Sequence, residues 1–131
     1  MNKYTFKIYP KGRGRTVYRV IETDGLNSLN DLCGDILNAF DFDHDHLYEF
    51  CMDNKMYSDG LHYSYEESDE ITIDDLKLTK SQNFSLHYDF GDDWMFVIHV
   101  NKIEPCDLSI DTKIIREKGT LEQYPYYDEF E

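Results

Sequence analysis

The sequence predicts an α+β fold in which a single, mostly antiparallel sheet is covered on one face by one main helix. Three features support this prediction: two β-rich segments at the start, one helical segment at 28–40 and a long aromatic hairpin at 84–100. A sheet with one apolar face needs a second layer to bury that face, and an amphipathic helix provides one. With 131 residues, the chain is expected to form one domain, 1–131, with a core of its own.

The opening hairpin is predicted from residue alternation. Apolar and more polar residues alternate from Tyr4 to Ile8, which is typical of a strand with one buried face, and Pro10 ends this strand. The segment 11–15 contains turn glycines, and 16–22 is again rich in β-forming residues. We therefore expect two paired strands at the start of the fold.

The main helix is predicted between Ser28 and Phe40. Its apolar residues recur at the three- and four-residue spacing of one buried face: Leu29, Leu32, Cys33, Ile36, Leu37 and Phe40. Ser28 is placed to cap the N-terminus, and Asp31 completes a capping box with favourable charge in the first turn. The helix should end near Asp41.

The middle of the chain shows weaker patterns. A third strand is predicted at 47–52, and the polar, acidic segment 57–70 is interpreted as an excursion on the surface. A short strand at 71–73 and a turn or short helix at 74–76 should follow.

The second hairpin has the clearest alternation in the sequence. Residues 84–90 and 94–100 each alternate between aromatic or aliphatic side chains and polar ones, on either side of an acidic turn at 91–93. This pattern predicts a long hairpin with an aromatic inner face.

Beyond Pro105 the pattern fades, so 105–131 is interpreted as a C-terminal extension. Ile114 and Ile115 are its candidates for docking on the sheet. The last residues, 128–131, are expected to fray.

The excess of acidic residues argues against binding to other negatively charged molecules. Twenty-seven acidic residues against thirteen basic ones give a formal charge of -14, which repels phosphate backbones and anionic lipid headgroups. Direct binding to nucleic acid or to a membrane is therefore not expected. Lys11, Arg13 and Arg15 are concentrated in one short segment, which is best explained as a solvated turn.

The cysteines and the N-terminal residues indicate a cytoplasmic protein. Cys33, Cys51 and Cys106 cannot all pair within one chain, and none belongs to a C-x-x-C motif, so reduced thiols are expected. There is no apolar run of bilayer-spanning length and no secretory signal at the start of the sequence.

The stretch with the most metal-like composition is 41–46, where carboxylates and imidazoles follow the helix. A calcium loop is excluded because His46 replaces the required glycine and a methionine replaces the terminal glutamate. Two interpretations stay open: a zinc or iron site using His44, His46 and a distant carboxylate, and a solvated acidic turn that includes Asp43 and Asp45.

A second candidate site is the segment 88–94, in which Asp89, Asp92 and Asp93 surround Gly91. Crowded carboxylates raise one another's pKa, and they can bind a cation or act as acid and base. The alternative is a hairpin loop in which Gly91 is left-handed and the aspartates accept hydrogen bonds from nearby N–H groups.

Other polar residues give no complete motif. The sequence has no phosphate-binding glycine loop and no nucleophile elbow. Cys33 lies on the predicted buried face of the helix and is interpreted as an inert core thiol. His62, His87 and His99 have no nearby partners in the sequence, and no role is predicted for them.

Three groups of residues, in this order, carry a family resemblance: the apolar spacing of 31–40, then His46-Leu47-Tyr48-Glu49-Phe50, then Asp89-Phe90-Gly91-Asp92-Asp93-Trp94. Together they resemble the plasmid pRiA4b open-reading-frame-three-like family over about residues 3–104, with a weaker similarity at 118–125. The resemblance implies an α+β domain found on bacterial plasmids and other mobile elements, and no established activity.

The chain departs from this family at several positions. Many relatives have Trp-Arg-Arg where this chain has Tyr18-Arg19-Val20, and histidines at the positions of Tyr48 and Phe96. If those histidines are metal ligands in relatives, two are missing here. The resemblance implies that any common site is built from the shared polar positions, His46, Asp89, Asp92, Asp93 and Trp94, with Arg19 as a weaker candidate.

The leading hypothesis is a non-enzymatic binding module whose acidic surface and Asp/Trp hairpin tip contact a basic protein partner or a cation. One alternative is a metal-dependent hydrolase using His46 with Asp89, Asp92 or Asp93. A second is an inhibitor that mimics DNA through its acidic surface. No cofactor is predicted apart from a divalent cation, no residue is assigned as a metal ligand, and the sequence indicates no oligomeric state.

Overall fold

The computed structural model describes residues 1–125. Its elements are β1 (Asn2–Pro10), β2 (Tyr18–Asp24), α1 (Leu29–Ala39), β3 (Tyr48–Cys51), β4 (His62–Ser64), a short 3-10 helix (Asp74–Leu76), β5 (Asn83–Tyr88), β6 (Trp94–Pro105) and β7 (Lys113–Lys118). Within the described residues, the seven strands form one antiparallel sheet in the order β4-β3-β5-β6-β1-β2-β7. A single sheet with one α-helix confirms the broad α+β prediction. The predicted fraying of 128–131 lies outside the described residues.

Two strands were not predicted. Strand β4 lies inside the segment interpreted as a surface excursion, and β7 lies in the C-terminal extension, where it pairs with β2. Neither has a buried alternating face: β4 is half-buried throughout and every residue of β7 is exposed. Both are edge strands, held mainly by backbone pairing, which leaves little pattern in the sequence.

The strand predicted at 71–73 is wrong. Thr72 forms only an isolated bridge with Ser28. The Ile71 carbonyl accepts a hydrogen bond from Leu29 N at 2.8 Å, and Ile73 N donates to the Asn27 carbonyl at 2.9 Å. The segment is extended because it pairs with the chain entering helix α1 instead of with the sheet.

The core lies between helix α1 and one face of the sheet. On the helix, Leu32 and Ile36 are fully buried, and on the sheet Phe84 and Phe96 are fully buried. They belong to one apolar cluster, against which Trp94 packs while remaining partly exposed. The pairing of Phe84 with Ile98 and of Leu86 with Phe96 places these side chains on the same face.

The other face of the sheet carries buried polar side chains. Glu49 pairs with His87 and Cys51 with Ser85 across β3 and β5, so all four project from the face opposite the helix. His62 joins them from β4, where it pairs with Cys51. This face therefore holds residues of quite different chemistry from the apolar core.

In the part of the chain that the structure describes, no helix has the length and apolar character needed to cross a bilayer. Cys33, Cys51 and Cys106 form no disulfide. Burial raises the pKa of the Cys33 thiol well above its usual range and that of Cys51 to about 12, so both are protonated at neutral pH.

Replacing Ser28 with alanine is expected to lower the free energy of unfolding by about 1 kcal/mol. Ser28 Oγ accepts a hydrogen bond from Asp31 N at 3.0 Å, and Asp31 Oδ2 accepts one from Ser28 N at 3.1 Å, so the substitution removes one half of the capping box. Urea denaturation measures the change. Ser28→Thr keeps an accepting hydroxyl, and an equally large loss in that variant would contradict the explanation.

Candidate functional site

A groove of about 560 Å³ runs along helix α1. One wall is formed by His44 and His46, which follow the helix, and another by 110–112, which precede β7. Gly34 has no side chain and therefore leaves open space between the two walls. A Cβ added at this position would contact only His44 Cε1, at 3.8 Å. The Asp24 carboxylate positions the second wall by accepting hydrogen bonds from Ser109 Oγ at 2.8 Å and Ile110 N at 2.7 Å.

Three carboxylates line this groove: Asp31, Asp35 and Asp111. Among the residues that the structure describes, no lysine or arginine lines the groove, and none of the three carboxylates forms an ion pair. Burial raises the pKa of Asp35, a hydrogen bond from the Thr112 hydroxyl opposes that rise, and the charge of Asp31 adds to it. A cation entering the groove would relieve this repulsion.

At the end of the groove formed by His46, several polar groups converge. His46 Nε2 lies 3.5 Å from Asp89 Oδ2 and 3.8 Å from Asp43 Oδ1, and it is hydrogen-bonded to the Tyr124 hydroxyl at 2.6 Å. That hydroxyl also donates to Asp43 Oδ2 at 2.7 Å. The candidate residues Asp43, His46 and Asp89, which come from separate segments, are therefore neighbours. The hydroxyl of Tyr124, from the C-terminal extension, bridges His46 and Asp43.

Asp43 is tied into this cluster by several donors. Burial raises the pKa of its carboxyl group, but hydrogen bonds from Tyr124, Gln123 and the backbone N–H of Asp45, together with the nearby His46, more than offset this, so the net pKa is lowered. The Tyr88 hydroxyl donates to the Asp43 carbonyl at 2.6 Å and accepts from His46 N at 3.1 Å. The acidic turn is thus fixed against the sheet.

The carboxylates of the 89–93 turn do not form one group. Asp89 faces His46, whereas Asp93 Oδ1 lies 2.6 Å from His87 Nε2 and accepts from the Tyr57 hydroxyl at 2.6 Å on the other face of the sheet. Asp92 is exposed. Asp93 precedes Trp94, which pairs with Tyr88 on the helix side, so Asp93 projects from the opposite face near His87. Asp89 departs from the strand alternation, because its φ of 65° turns the chain out of the strand after Tyr88.

The expectation that Gly91 is left-handed is wrong. The residues with positive φ in this turn are Asp89, at 65°, and Asp93, at 53°. Asp89 stabilises the turn through its side chain, because Asp89 Oδ1 accepts from Gly91 N at 3.0 Å and Asp92 N at 3.3 Å. Aspartate tolerates a left-handed conformation when it forms such local hydrogen bonds.

Three further sequence candidates have mainly packing or surface positions. Trp94 packs edge-on against Phe42, with ring centroids 4.8 Å apart. His44 is exposed and lies 2.9 Å from the side-chain oxygen of Asn38 on the helix. Asp45 is exposed on the acidic turn.

Arg19 holds the end of helix α1 against the sheet. Its side chain is buried and donates to the carbonyl oxygens of Ala39 at 2.8 Å, Tyr18 at 2.8 Å and Lys118 at 3.0 Å. The guanidinium also lies 4.8 Å from the centre of the Phe40 ring. Its contacts are those of a structural residue.

Sequence reasoning missed the polar network on the opposite face. Glu49 binds two histidines, with Oε1 3.0 Å from His62 Nδ1 and Oε2 2.8 Å from His87 Nδ1. These residues are far apart in sequence, and the unpredicted strand β4 supplies His62. The available signal was the alternation of 84–90, which places His87 beside Ser85 and away from the aromatic face.

The comparisons with known proteins concern the family and the fold. The family model described as plasmid pRiA4b ORF-3-like protein matches residues 2–120. Among solved structures, the chain is similar to a protein of unknown function from Methanosarcina mazei Go1, with a TM-score of 0.76, 21% identity and coverage of 98% of this chain and 80% of that one. At this identity the likeness shows the fold alone. None of the curated proteins matches the sequence.

Proposed function

Since the chain belongs to the plasmid pRiA4b ORF-3-like family, whose description names no activity, we propose that it is a non-enzymatic binding module for a basic segment of a protein partner. The groove along helix α1 would hold a lysine or arginine side chain of that partner. The observation that carries this proposal is the set of groove carboxylates, Asp31, Asp35 and Asp111, with no basic side chain among the described residues that line the groove.

The chemistry of these groups favours a cationic ligand. A guanidinium or ammonium entering the groove gains charge-assisted hydrogen bonds from carboxylates that have no basic partner within the described residues. The formal charge of -14 adds a long-range attraction for a basic partner and repels nucleic acid. The groove is a better candidate than the hairpin tip, because Asp89 and Asp93 already bind other side chains and backbone groups.

A metal-dependent hydrolase is less well supported. It would use His46 with Asp89, Asp92 or Asp93, and of these Asp89 Oδ2 lies 3.5 Å from His46 Nε2, whereas Asp93 faces His87 on the opposite side of the sheet. The Tyr124 hydroxyl already bridges His46 and Asp43. Mimicry of DNA gains no support beyond the acidity of the chain.

The binding proposal is tested with a fluorescent peptide of alternating arginine and glycine, followed by anisotropy at low and high salt. We expect binding that weakens as salt rises, because exposed charges are screened. The double variant Asp35→Asn, Asp111→Asn should bind roughly tenfold more weakly, which corresponds to about 1.4 kcal/mol for two lost charge contacts.

The matched control is Asp59→Asn, Glu70→Gln, which removes the same formal charge from exposed positions away from the groove. Its affinity should change less than about twofold, since distant exposed charges act weakly. An equal loss in both double variants, or binding that does not depend on salt, would contradict a specific acidic groove.

A further inference from the structure

Three side chains with different metal-binding chemistry meet on the face of the sheet opposite helix α1. They are Glu49, Cys51 and His62, and one ligand atom from each lies within 4.8 Å of the other two. The strand pairing accounts for this meeting: Glu49 and Cys51 project from the same face of β3, and His62 is paired with Cys51 across β4.

Each of the two polar ligands is held by a further side chain. His62 directs Nδ1 to Glu49 Oε1 at 3.0 Å, while Nε2 lies 3.0 Å from Ser58 Oγ and 3.3 Å from Asp53 Oδ1. The second oxygen of Glu49 lies 2.8 Å from His87 Nδ1. Histidine ligands of metals commonly donate their second N–H to a carboxylate, which fixes the ring and its tautomer.

The third ligand, Cys51, has a buried hydroxyl beside it. Ser85 is its partner in β5, and both side chains are fully buried on this face. Ser85 Oγ forms no hydrogen bond of standard geometry with a described residue, although it lies close enough to the Cys51 thiol to oppose the rise in the pKa of that thiol. A buried hydroxyl without an acceptor is costly, and a thiolate at Cys51 would provide that acceptor.

We propose that Glu49, Cys51 and His62 bind a divalent transition-metal ion of the zinc class. Carboxylate oxygen, thiolate sulfur and imidazole nitrogen are the ligands that zinc takes in proteins, at about 2.0 to 2.3 Å, and sites with three protein ligands leave a fourth position for water or another ligand. Zn²⁺ replaces the thiol proton of Cys51, which leaves to solvent, and His62 binds as neutral imidazole through Nδ1, with its Nε2 proton directed to Ser58 Oγ and Asp53.

A network of hydrogen bonds without metal explains part of the arrangement. Carboxylates bound to histidines are common, and Glu49 has satisfactory partners in His62 and His87. That explanation leaves the Ser85 hydroxyl, beside the buried Cys51 thiol, without a hydrogen bond of standard geometry. A metal-bound Cys51 thiolate would accept from that hydroxyl.

The inference is independent of the proposed function. The acidic groove lies along the helix on one side of the sheet, and the proposed metal ligands lie on the other side. Loss of peptide binding therefore does not predict loss of metal, and loss of metal does not predict loss of peptide binding.

The experiment uses the full chain, stripped with a chelator under reducing conditions and titrated with Co²⁺ and then with Zn²⁺. We expect one ion per chain, a near-ultraviolet thiolate-to-cobalt charge-transfer band, and loss of that band when Zn²⁺ displaces Co²⁺. The zinc-loaded protein should also unfold at a higher temperature than the stripped protein, because an ion that binds only the native state stabilises it.

Variants identify the ligands. Cys51→Ser should abolish the charge-transfer band, His62→Gln should weaken binding at least tenfold, and Asp53→Asn, which keeps the three ligands, should weaken it by about 10- to 100-fold. Cys106→Ser and His44→Gln remove the same side-chain types outside the cluster and should bind as the unaltered protein does. Circular dichroism of each stripped variant checks that it is folded.

The proposal is overturned if the stripped, folded protein shows no charge-transfer band with Co²⁺, or if the band persists in Cys51→Ser and disappears in Cys106→Ser. If Cys51→Ser does not fold, the decision passes to His62→Gln and Asp53→Asn. Affinities in both that equal that of the unaltered chain would also overturn it.

Discussion

Replacing Phe84 with alanine is expected to lower the free energy of unfolding by about 3 to 5 kcal/mol. Phe84 is fully buried and lies between two other core rings, with its centroid 6.0 Å from Phe6 and 6.3 Å from Phe50. The substitution removes apolar area from the interior and leaves a cavity that close-packed neighbours on β1 and β3 cannot fill. Because domains are stable by only about 5 to 15 kcal/mol, this is a large fraction of the total.

Urea or guanidinium denaturation measures this effect, and an unchanged dependence on denaturant shows that the unfolded state is comparable. The control is Leu108→Ala, since Leu108 is 78% exposed and should change stability by less than about 0.5 kcal/mol. A Phe84→Ala protein nearly as stable as the unaltered chain would mean that the helix and the aromatic hairpin do not share one close-packed interior.

Replacing Arg19 with methionine is expected to lower the free energy of unfolding by about 2 to 4 kcal/mol. Methionine fills a similar volume but cannot donate to the carbonyls of Ala39, Tyr18 and Lys118, which are left with fewer partners. The Ala39 carbonyl lies at the end of helix α1, where a positive charge is also favourable. The substitution therefore loosens the helix, β2 and β7 together.

Two variants separate the causes. Arg19→Lys keeps the charge but loses the planar fork that reaches several carbonyls, so its stability should be intermediate. Arg116→Met makes the same change at an exposed position on β7 and should cost less than about 0.5 kcal/mol. If Arg19→Met were as stable as the unaltered protein, the cost of burying the guanidinium would equal the gain from its hydrogen bonds.

The candidate site was only partly predictable. The sequence pointed to His46, Asp43 and Asp89, and the structure brings these three together. The sequence did not predict that Asp89 and Asp93 lie on opposite sides of the sheet. The side that each aspartate faces depends on the backbone conformation of the turn, which the sequence pattern does not define. No local pattern predicts the contact of Tyr124 with His46, because 78 residues separate the two in the sequence.

The polar network on the face of the sheet opposite the helix was even less predictable from the sequence. His62 and Glu49 are separated by 13 residues and His87 and Glu49 by 38, and each appears unpartnered when the sequence is taken alone. Edge strand β4 has no buried alternation to predict it. The meeting of Glu49, Cys51 and His62 therefore depends on a pairing that no local pattern encodes.

The sequence by itself determined the α+β class, helix α1 with its serine cap, and the two hairpins. Each depends on short-range periodicity or on a capping residue a few positions away, which are properties of neighbouring residues. Only the tertiary structure decided the order of the strands, the recruitment of β4 and β7 to the edges, and the meeting of Glu49, Cys51 and His62. These depend on the register between segments distant in sequence, and register decides which face of the sheet each side chain occupies.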